Sequence, residues 1–256
     1  MKETDAQGLS REDREHEPNF GVNCAIILAG GEGKRLGLVD RPKPMALVNG
    51  KPIIDHQLLE MPKFGIQNVV IAAGFKHEVL LTHISKGERY GISAGMSIED
   101  MPLGRGGAIK KAMKELPDSC KNFLVTNGDN IWRLDLRLPI REHIEKKAIA
   151  TIVVVQPRNP FGVVEFDDKG RVKRFDEKPI MNEWINAGIY VLSREIERFL
   201  PEVGDIETET FPRILDTQPV YVHKMPENGY WRPIDTQKDL KEANKEMPLL
   251  SSAAPK

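Results

Sequence analysis

The sequence predicts an α/β fold in which a mostly parallel sheet is flanked by helices. Short apolar runs that end in glycine or proline recur along the first half of the chain, and segments with apolar residues at helical spacing separate them. The 256 residues are 40% hydrophobic, which is enough for a sizeable core. Strands that alternate with helices are typical of parallel sheets, because each parallel strand needs a crossover connection.

The first half contains five apolar runs that predict buried strands: Val22–Ala29, Val69–Ala73, Met96–Ile98, Phe123–Thr126 and Ile149–Val155. Three segments between them predict helices, and Gly65 and Pro117 end two of these: Pro52–Phe64, Val79–Ser85 and Ile109–Leu116. Because open α/β sheets bind ligands at the carboxyl ends of their strands, we expect a cleft there.

The second half predicts a mixed α/β arrangement that shares the same sheet. It begins with a hairpin, whose strands Val163–Phe166 and Val172–Phe175 are joined by the turn Asp167–Gly170. Further strands and helices follow: Ile185–Leu192, Arg194–Leu200, Thr208–Leu215, Val220–His223 and Thr236–Glu246. We therefore expect one domain over residues 21–247, with halves 21–130 and 131–247, between a flexible arm (1–20) and a tail (248–256).

Charge and cysteine content exclude several classes of protein. The formal net charge is −1, so no large basic field indicates nucleic acid or a membrane as the partner. No apolar run reaches the roughly 20 residues that span a bilayer. The two cysteines, Cys24 and Cys120, stand in unrelated contexts, which predicts neither a disulfide framework nor a metal cluster and favours a cytoplasmic location.

A glycine-rich turn follows the first predicted strand. It contains Leu28, Ala29, Gly30, Gly31 and Gly33. Glycines let backbone N–H groups approach phosphate oxygens, and the next two residues, Lys34 and Arg35, add positive charge. The turn fits neither a Walker A loop nor the dinucleotide fingerprint, because Arg35 and Leu36 stand where those motifs need Ser or Thr and a third glycine. A plain strand-to-helix turn is the alternative.

A lysine between two prolines comes shortly afterwards. Pro42 and Pro44 stiffen the backbone around Lys43 and remove competing hydrogen-bond donors. A lysine held in this way suits a phosphoryl group, on which it acts as a point charge. The alternative is a solvated loop lysine.

Together these segments resemble the sugar-phosphate nucleotidylyltransferases, or nucleotide-sugar pyrophosphorylases. Further motifs match that family in chain order: Pro102-Leu103-Gly104-x-Gly106-Gly107, Asn127-Gly128-Asp129, Phe161-Gly162-Val163-Val164, Phe175-Asp176-Glu177-Lys178-Pro179, Ile185-Asn186-Ala187-Gly188 and Trp231-x-x-Ile234-Asp235-Thr236. The resemblance covers Asn23 to Glu246 and implies a Rossmann-like sheet with a sugar-binding second half.

The resemblance also implies an enzyme whose substrates are a nucleoside triphosphate and a sugar 1-phosphate. The sugar phosphate attacks the α-phosphorus in line, and pyrophosphate leaves. The nucleophile is already anionic, so positioning and charge neutralisation, with Mg²⁺, would supply the catalysis. The family habit is a small homo-oligomer.

By resemblance, Arg35 would hold the β- and γ-phosphates and Lys43 the α-phosphate, while Asp129 and Asp235 would bind Mg²⁺. The nucleotide would contact Leu28, Ala29, Gly30, Gly31, Gly33, Glu99 and Gly104. The sugar phosphate would contact Gly162, Glu177, Lys178, Asn186 and Gly188.

Two positions depart from the usual family pattern. The acid at Asp235 stands two places later than in many members, as in glucose 1-phosphate cytidylyltransferases. Arg105 replaces a customary threonine, and it either meets the triphosphate or points to solvent.

Glu99 stands at the position that resembles the family's base-contact residue, and it limits which nucleoside triphosphates would fit. An ionised carboxylate only accepts hydrogen bonds, which suits the donors of guanine or cytosine better than uracil or thymine. We therefore favour GTP or CTP. The stretch from Ser97 to Gly107 resembles mannose and heptose 1-phosphate guanylyltransferases, whereas Asp235-Thr236 resembles the cytidylyltransferases.

Three other functions fit the sequence less well than nucleotidyl transfer to a sugar 1-phosphate. A non-catalytic relative is disfavoured because Arg35, Lys43, Asp129 and Lys178 are all retained. A glycosyltransferase would carry Asp-x-Asp, but the chain has Asp129-Asn130-Ile131. A non-sugar phosphate acceptor is disfavoured by the motifs around Glu177 and Asn186.

Overall fold

A computed structural model describes residues 21–252, with side chains described as far as Met247. Its strands are β1 (Cys24–Leu28), β2 (Leu47–Val48), β3 (Lys51–Pro52), β4 (Asn68–Ala73), β5 (Ser93–Ile98), β6 (Asn122–Asn127), β7 (Asn130–Arg133), β8 (Ala150–Val155), β9 (Val163–Phe166), β10 (Val172–Asp176), β11 (Ile185–Ser193), β12 (Val220–Lys224) and β13 (Tyr230–Pro233). Its α-helices are α1 (Ile53–Leu58), α2 (His77–Ile84), α3 (Gly104–Ala112), α4 (Arg137–Glu145), α5 (Phe211–Ile214) and α6 (Gln237–Ser252).

Seven strands form one sheet in the order β12-β8-β11-β6-β1-β4-β5. Strands β6, β1, β4 and β5 are mutually parallel, and β12 is parallel to β8. Strand β11 runs antiparallel to both neighbours, because the β9–β10 hairpin, and no crossover helix, connects β8 to it. The predicted mostly parallel sheet is confirmed. Within residues 21–252, no helix has the length and apolar content needed to cross a bilayer.

The two faces of the sheet bury different side chains of the same strand. In β1, Ala25 and Ile27 pack with α1, α2 and α4, while Cys24 and Ile26 pack with α3 and the segment 196–214. This alternation is the period of two that a strand covered on both faces requires. A third, smaller core lies beside the glycine-rich turn, where Leu36 packs with residues of α6.

Several predicted boundaries differ from the structure. Helix α3 begins at Gly104 instead of Ile109, since its first turn is glycine-rich and carries no apolar periodicity. The predicted helix Thr208–Leu215 divides into a π-helical turn, Ile206–Thr210, and α5. Helix α6 continues to Ser252, past the predicted end at Glu246. The predicted arm (1–20) and the last four tail residues (253–256) lie outside the described residues.

Helix α4 and two short strand pairings were not predicted from the sequence. Helix α4 carries Pro139 in its first turn, where a missing N–H is tolerated. The pairs β2–β3 and β7–β13 have strands of two to four residues, too short to show a period.

The prediction that the two cysteines form no disulfide was wrong. Cys24 and Cys120 are 96 residues apart in sequence, but their Cα atoms lie 6.2 Å apart and the structure joins them in a disulfide. The cause is the parallel pairing of β1 with β6, which opposes Ala25 to Leu124 and so brings the segments before both strands together.

The glycines at the start of α3 serve close packing. The N–H groups of Gly106 and Gly107 donate to the carbonyl of Gly204 (2.8 and 3.2 Å), and that of Arg105 donates to Asp205 (2.9 Å). A Cβ atom on Gly107 would overlap the carbonyl oxygen of Glu202. The first turn of α3 therefore finds its hydrogen-bond acceptors in the segment 202–205, and only glycine admits that approach.

This packing predicts the effect of an alanine at Gly107. In an open helix, Gly→Ala raises stability by about 0.5–1 kcal/mol, but here the added methyl meets rigid backbone. We expect Gly107→Ala to lower the free energy of unfolding by about 2 kcal/mol in urea titrations. Gly31→Ala is the control, because nothing lies within 4 Å of its added Cβ. Equal stability of the two variants would contradict the packing argument.

Candidate active site

A cleft of about 550 Å³ lies at the carboxyl edge of the sheet, where the sequence predicted it. Strands β1, β4, β5 and β6 all end at this edge, so the residues that follow them converge. The lining residues are Leu28, Gly30, Gly31, Glu32, Gly74, Phe75, Glu99, Asp100, Met101, Pro102, Gly104, Arg105, Ala108, Asn127, Asp129 and Asp205.

At one end of the cleft, Lys43 bridges two aspartates. Its Nζ lies 2.6 Å from Asp129 Oδ2 and 2.5 Å from Asp235 Oδ1, and its side chain is only 10% exposed. Burial by itself lowers the pKa of Lys43, but the carboxylates outweigh burial, and the pKa lies above its ordinary value. Arg35 reaches the same Asp235 oxygen at 3.2 Å from a more exposed position.

The pairing of β7 with β13 brings the two aspartates together. Asp129 follows β6 directly, and Asp235 follows β13. Pro233 pairs with Asn130 in this ladder, and the Ile234 N–H donates to the Asp129 carbonyl at 3.0 Å. The acids therefore converge although 106 residues separate them in sequence.

The arrangement fits a divalent cation. The Lys43 ammonium shows that a positive charge can contact both carboxylates at once. Among residues 21–252, no group of three or more His, Cys, Asp or Glu side chains converges. Mg²⁺ commonly takes one or two protein carboxylates and completes its shell with water and substrate phosphates, so two aspartates suffice.

The glycine-rich turn packs against the residues at both ends of the cleft. Gly33, with a φ of +68°, lies on Lys43, and an added Cβ would stand 3.2 Å from the lysine Cβ. A Cβ on Gly30 would stand 3.2 Å from Glu99 Oε1. Of the predicted nucleotide contacts, Leu28, Gly30, Gly31, Glu99 and Gly104 line the cleft. Ala29 is buried, and neither it nor Gly33 is among the lining residues.

Another part of the cleft lining combines apolar surface with the carboxylate of Glu99. Phe75, Met101 and Pro102 line it together with Glu99, which follows β5. Glu99 Oε2 accepts a hydrogen bond from the Leu103 N–H at 3.1 Å, which fixes the carboxylate. A flat aromatic base fits such a surface, and the carboxylate can accept from its N–H groups.

The structure separates the predicted sugar contacts into two groups. Gly188 adjoins the cleft, because an added Cβ would overlap the side chain of Asn127 in the cleft wall. Asn186 Oδ1 accepts a hydrogen bond from the Gly188 N–H at 2.9 Å. Gly162 and Glu177 contact each other at the β9–β10 hairpin, and Lys178 follows them with a φ of +49°, but none of these three lines the cleft.

Sequence reasoning missed the residue that supports the turn before Asp129. Gln57 is buried in α1, and its Nε2 donates to the carbonyls of Asn127 and Asn130 at 2.8 and 2.7 Å. Gln57 stands four residues after Ile53 and three after Ile54, and a polar residue on that apolar helix face was the available signal.

Comparison with known proteins matches the chain to one family. The family model described as "Nucleotidyl transferase" matches residues 24–248. D-glycero-alpha-D-manno-heptose 1-phosphate guanylyltransferase of Aneurinibacillus thermoaerophilus is 36% identical over 237 residues, which cover 87% of this chain and 97% of the relative. Mannose-1-phosphate guanyltransferase of Pichia angusta is 34% identical over 84% of this chain, which spans only 61% of that relative's length.

A solved structure is similar over nearly the whole described chain. HddC from Yersinia pseudotuberculosis, complexed with GMP-PN, superposes with a TM-score of 0.70 at 27% identity. The match covers 88% of this chain and all of the other.

Proposed function

Because the chain belongs to the nucleotidyl transferase family, we propose that it transfers a guanylyl group from GTP to a sugar 1-phosphate and releases pyrophosphate. The observation that carries the proposal is the convergence of Asp129 and Asp235 on one cation beside the glycine-rich turn. D-glycero-α-D-manno-heptose 1-phosphate is the first acceptor to test, because the heptose relative aligns over 97% of its length and the mannose relative over 61%.

The reaction needs charge neutralisation more than it needs a base. A phosphate oxygen of the sugar 1-phosphate bonds to the α-phosphorus, the bond from that phosphorus to the β-bridging oxygen breaks, and the electron pair leaves with pyrophosphate. Arg35 would hold the departing β- and γ-phosphates, and Lys43 would contact the α-phosphate. Asp129 and Asp235 would hold Mg²⁺, which supplies further positive charge at the phosphates.

Lys43 would have two partners in succession, first the two aspartates and then a phosphate. Its ammonium cannot stay between both aspartates when a divalent cation binds there, since the two positive charges would compete for the same oxygens. Lys43 is then available for a phosphate oxygen close by. Lys43 would therefore leave the two aspartates more readily when a triphosphate offers it a new anionic partner.

Base selection would depend on Glu99. Guanine presents its N1–H and its N2 amino group on one edge, and an ionised carboxylate can accept from both. Uracil and thymine present one N–H between two carbonyls, which a carboxylate repels. The guanylyltransferase relatives support GTP over CTP, although the Asp235-Thr236 form resembles cytidylyltransferases.

The function is tested by pyrophosphate release from each nucleoside triphosphate with a panel of sugar 1-phosphates and Mg²⁺. We expect the fastest turnover with GTP. Asp129→Asn should lower kcat on the order of 10³-fold, because it removes one of two acidic groups at the phosphates. Asp118→Asn, at an exposed aspartate 3.7 Å from Arg194, should keep wild-type turnover. A wild-type protein that turns over no pair of substrates would support the non-catalytic relative.

A glutamine at Glu99 tests base selection. Glu99→Gln replaces one acceptor oxygen by a donor that meets guanine's own N–H groups, a mispairing that costs about 1–3 kcal/mol. We expect kcat/KM for GTP to fall roughly 5- to 150-fold, with a smaller change for UTP. Equal losses with both triphosphates would remove Glu99 from base selection.

A methionine at Lys43 tests the competition for the aspartates. Lys43→Met leaves two carboxylates without their internal cation, so we expect Mn²⁺ to bind the nucleotide-free variant about ten times more tightly than wild type. Electron paramagnetic resonance of free Mn²⁺ measures this without turnover. Lys34→Met, at an exposed lysine paired with Glu32, is the control. Unchanged Mn²⁺ affinity in Lys43→Met would contradict the competition.

A further inference from the structure

A bulge in β11 turns Asn186 towards a buried tyrosine. The register of β11 against β8 shifts between Asn186 and Tyr190, and Gly188 within the shift has a φ of +66°. Bulges re-aim side chains, and this one lets Asn186 Nδ2 donate to the Tyr190 hydroxyl at 2.6 Å. Asn186 Oδ1 meanwhile accepts from the Gly188 N–H. Both ends of the amide are thus fixed, while one N–H and one lone pair remain for a ligand hydroxyl.

The Tyr190 hydroxyl continues the chain of hydrogen bonds. Tyr190 is fully buried, and burial together with the neighbouring Glu207 raises its pKa, so the hydroxyl stays protonated. Since the hydroxyl accepts from Asn186, its own proton goes to Glu207 Oε1, at 2.8 Å. The direction of both hydrogen bonds follows from this single proton.

Glu207 then meets Arg105 in the wall of the cleft. Its Oε2 lies 3.1 Å from Arg105 Nε, and Asp205 Oδ1 lies 3.2 Å from the same nitrogen. Burial lowers the pKa of Arg105, but Glu207 and Asp205 outweigh it and hold the guanidinium charged. Arg105 and Asp205 both line the cleft, so these contacts connect the nucleotide pocket with Asn186.

The sequence left open whether Arg105 meets the triphosphate or points to solvent. The carboxylates of Asp205 and Glu207 argue against a contact with the triphosphate. One guanidinium faces two carboxylates, so the local charge is negative before any ligand binds. A triphosphate would have to draw Arg105 away from both, and Glu207 would keep the Tyr190 hydroxyl as a donor but lose its counter-ion. That displacement would leave the carboxylates of Asp205 and Glu207 without their shared cation, next to a polyanion.

We propose that Arg105, Glu207 and Tyr190 form a relay that orients Asn186 for the sugar 1-phosphate, with Arg105 as the counter-ion of the relay and not a ligand of the triphosphate. The proposal rests on the proposed function of the same cleft. In this proposal, Arg105, Glu207 and Tyr190 are positioning residues that act on the substrate through Asn186.

Removal of the tyrosine hydroxyl tests the relay. Tyr190→Phe frees the Asn186 amide, and the loss of one hydrogen bond corresponds to roughly a 2- to 12-fold effect. We expect KM for the sugar 1-phosphate to rise about 5-fold, with kcat and the KM for GTP within about 2-fold of wild type. A purely structural role would lower the melting temperature without this separation of the two KM values.

A second tyrosine gives a matched control. Tyr230 donates to Glu246, which also accepts from Arg232, so the same three residue types meet at the C-terminal helix α6. Tyr230→Phe should lose comparable stability and leave the KM for the sugar 1-phosphate unchanged. If both variants raise that KM equally, the relay is wrong.

A single variant and a double variant, which remove the charges of Arg105 and Glu207, test the role of Arg105. Arg105→Met leaves Glu207 charged and without its counter-ion, so KM for the sugar 1-phosphate should rise at least 5-fold. Adding Glu207→Gln removes the charge and keeps Oε1 as the acceptor for Tyr190. The double variant should therefore return to within about 2-fold of wild type, as measured by KM and by calorimetric binding of the sugar 1-phosphate.

The outcomes separate this proposal from the proposed function. A wild-type protein that releases no pyrophosphate from any pair of substrates overturns the function. An active wild type whose Tyr190→Phe variant keeps its KM for the sugar 1-phosphate overturns the relay alone. A KM for GTP that stays raised in both Arg105→Met and the double variant identifies Arg105 as a triphosphate ligand and also overturns it. If Tyr190→Phe does not fold, the Arg105→Met and double-variant pair decides.

Discussion

The Lys43 ammonium between Asp129 and Asp235 is the interaction on which the site depends. Two carboxylates this close repel each other, and a lysine this buried is costly unless it is paired, so neither side of the contact is stable without the other. Three separate chain segments must therefore meet: the turn after β6, the end of β13 and the 3₁₀ turn Lys43–Met45. The β7–β13 ladder makes that meeting possible, and the sheet edge supplies the cleft beside it.

Helix α6 explains why the second aspartate stands where it does. Thr236 and Asp239 form a reciprocal cap: Asp239 Oδ2 accepts from the Thr236 N–H at 2.8 Å, and the Asp239 N–H donates to Thr236 Oγ1 at 3.2 Å. The Asp235 N–H also donates to Asp239. Asp235 thus directly precedes a capped helix, whose amino end favours negative charge. The Asp-Thr pair that departs from the usual family pattern is therefore tied to the start of α6.

Sequence reasoning reached those features that depend on local pattern. The strands of the main sheet, the glycine-rich turn and the position of Asp129 at a strand end all follow from apolar periods and glycine placement. Features that depend on register were out of reach: the disulfide and the start of α3 are set by segments about 100 residues away in the chain, and the bulge at Gly188 is set by the pairing with β8. Arg105 could not be interpreted for the same reason, since Asp205 and Glu207 are distant in sequence.

The two charged networks of the cleft differ in how freely they can exchange partners. Arg35 is 74% exposed, and an exposed ion pair is worth little, so its contact with Asp235 gives way readily to a phosphate. Lys43 is more buried, but in the proposed reaction a phosphate would replace the aspartates as its partner, and a divalent cation would replace its single positive charge between them. Tyr190 has no such substitute, because Glu207 Oε1 loses the hydroxyl donor if Tyr190 turns away. In the proposed function, the contacts of Arg35 and Lys43 would therefore exchange partners, whereas the network behind Asn186 would keep them.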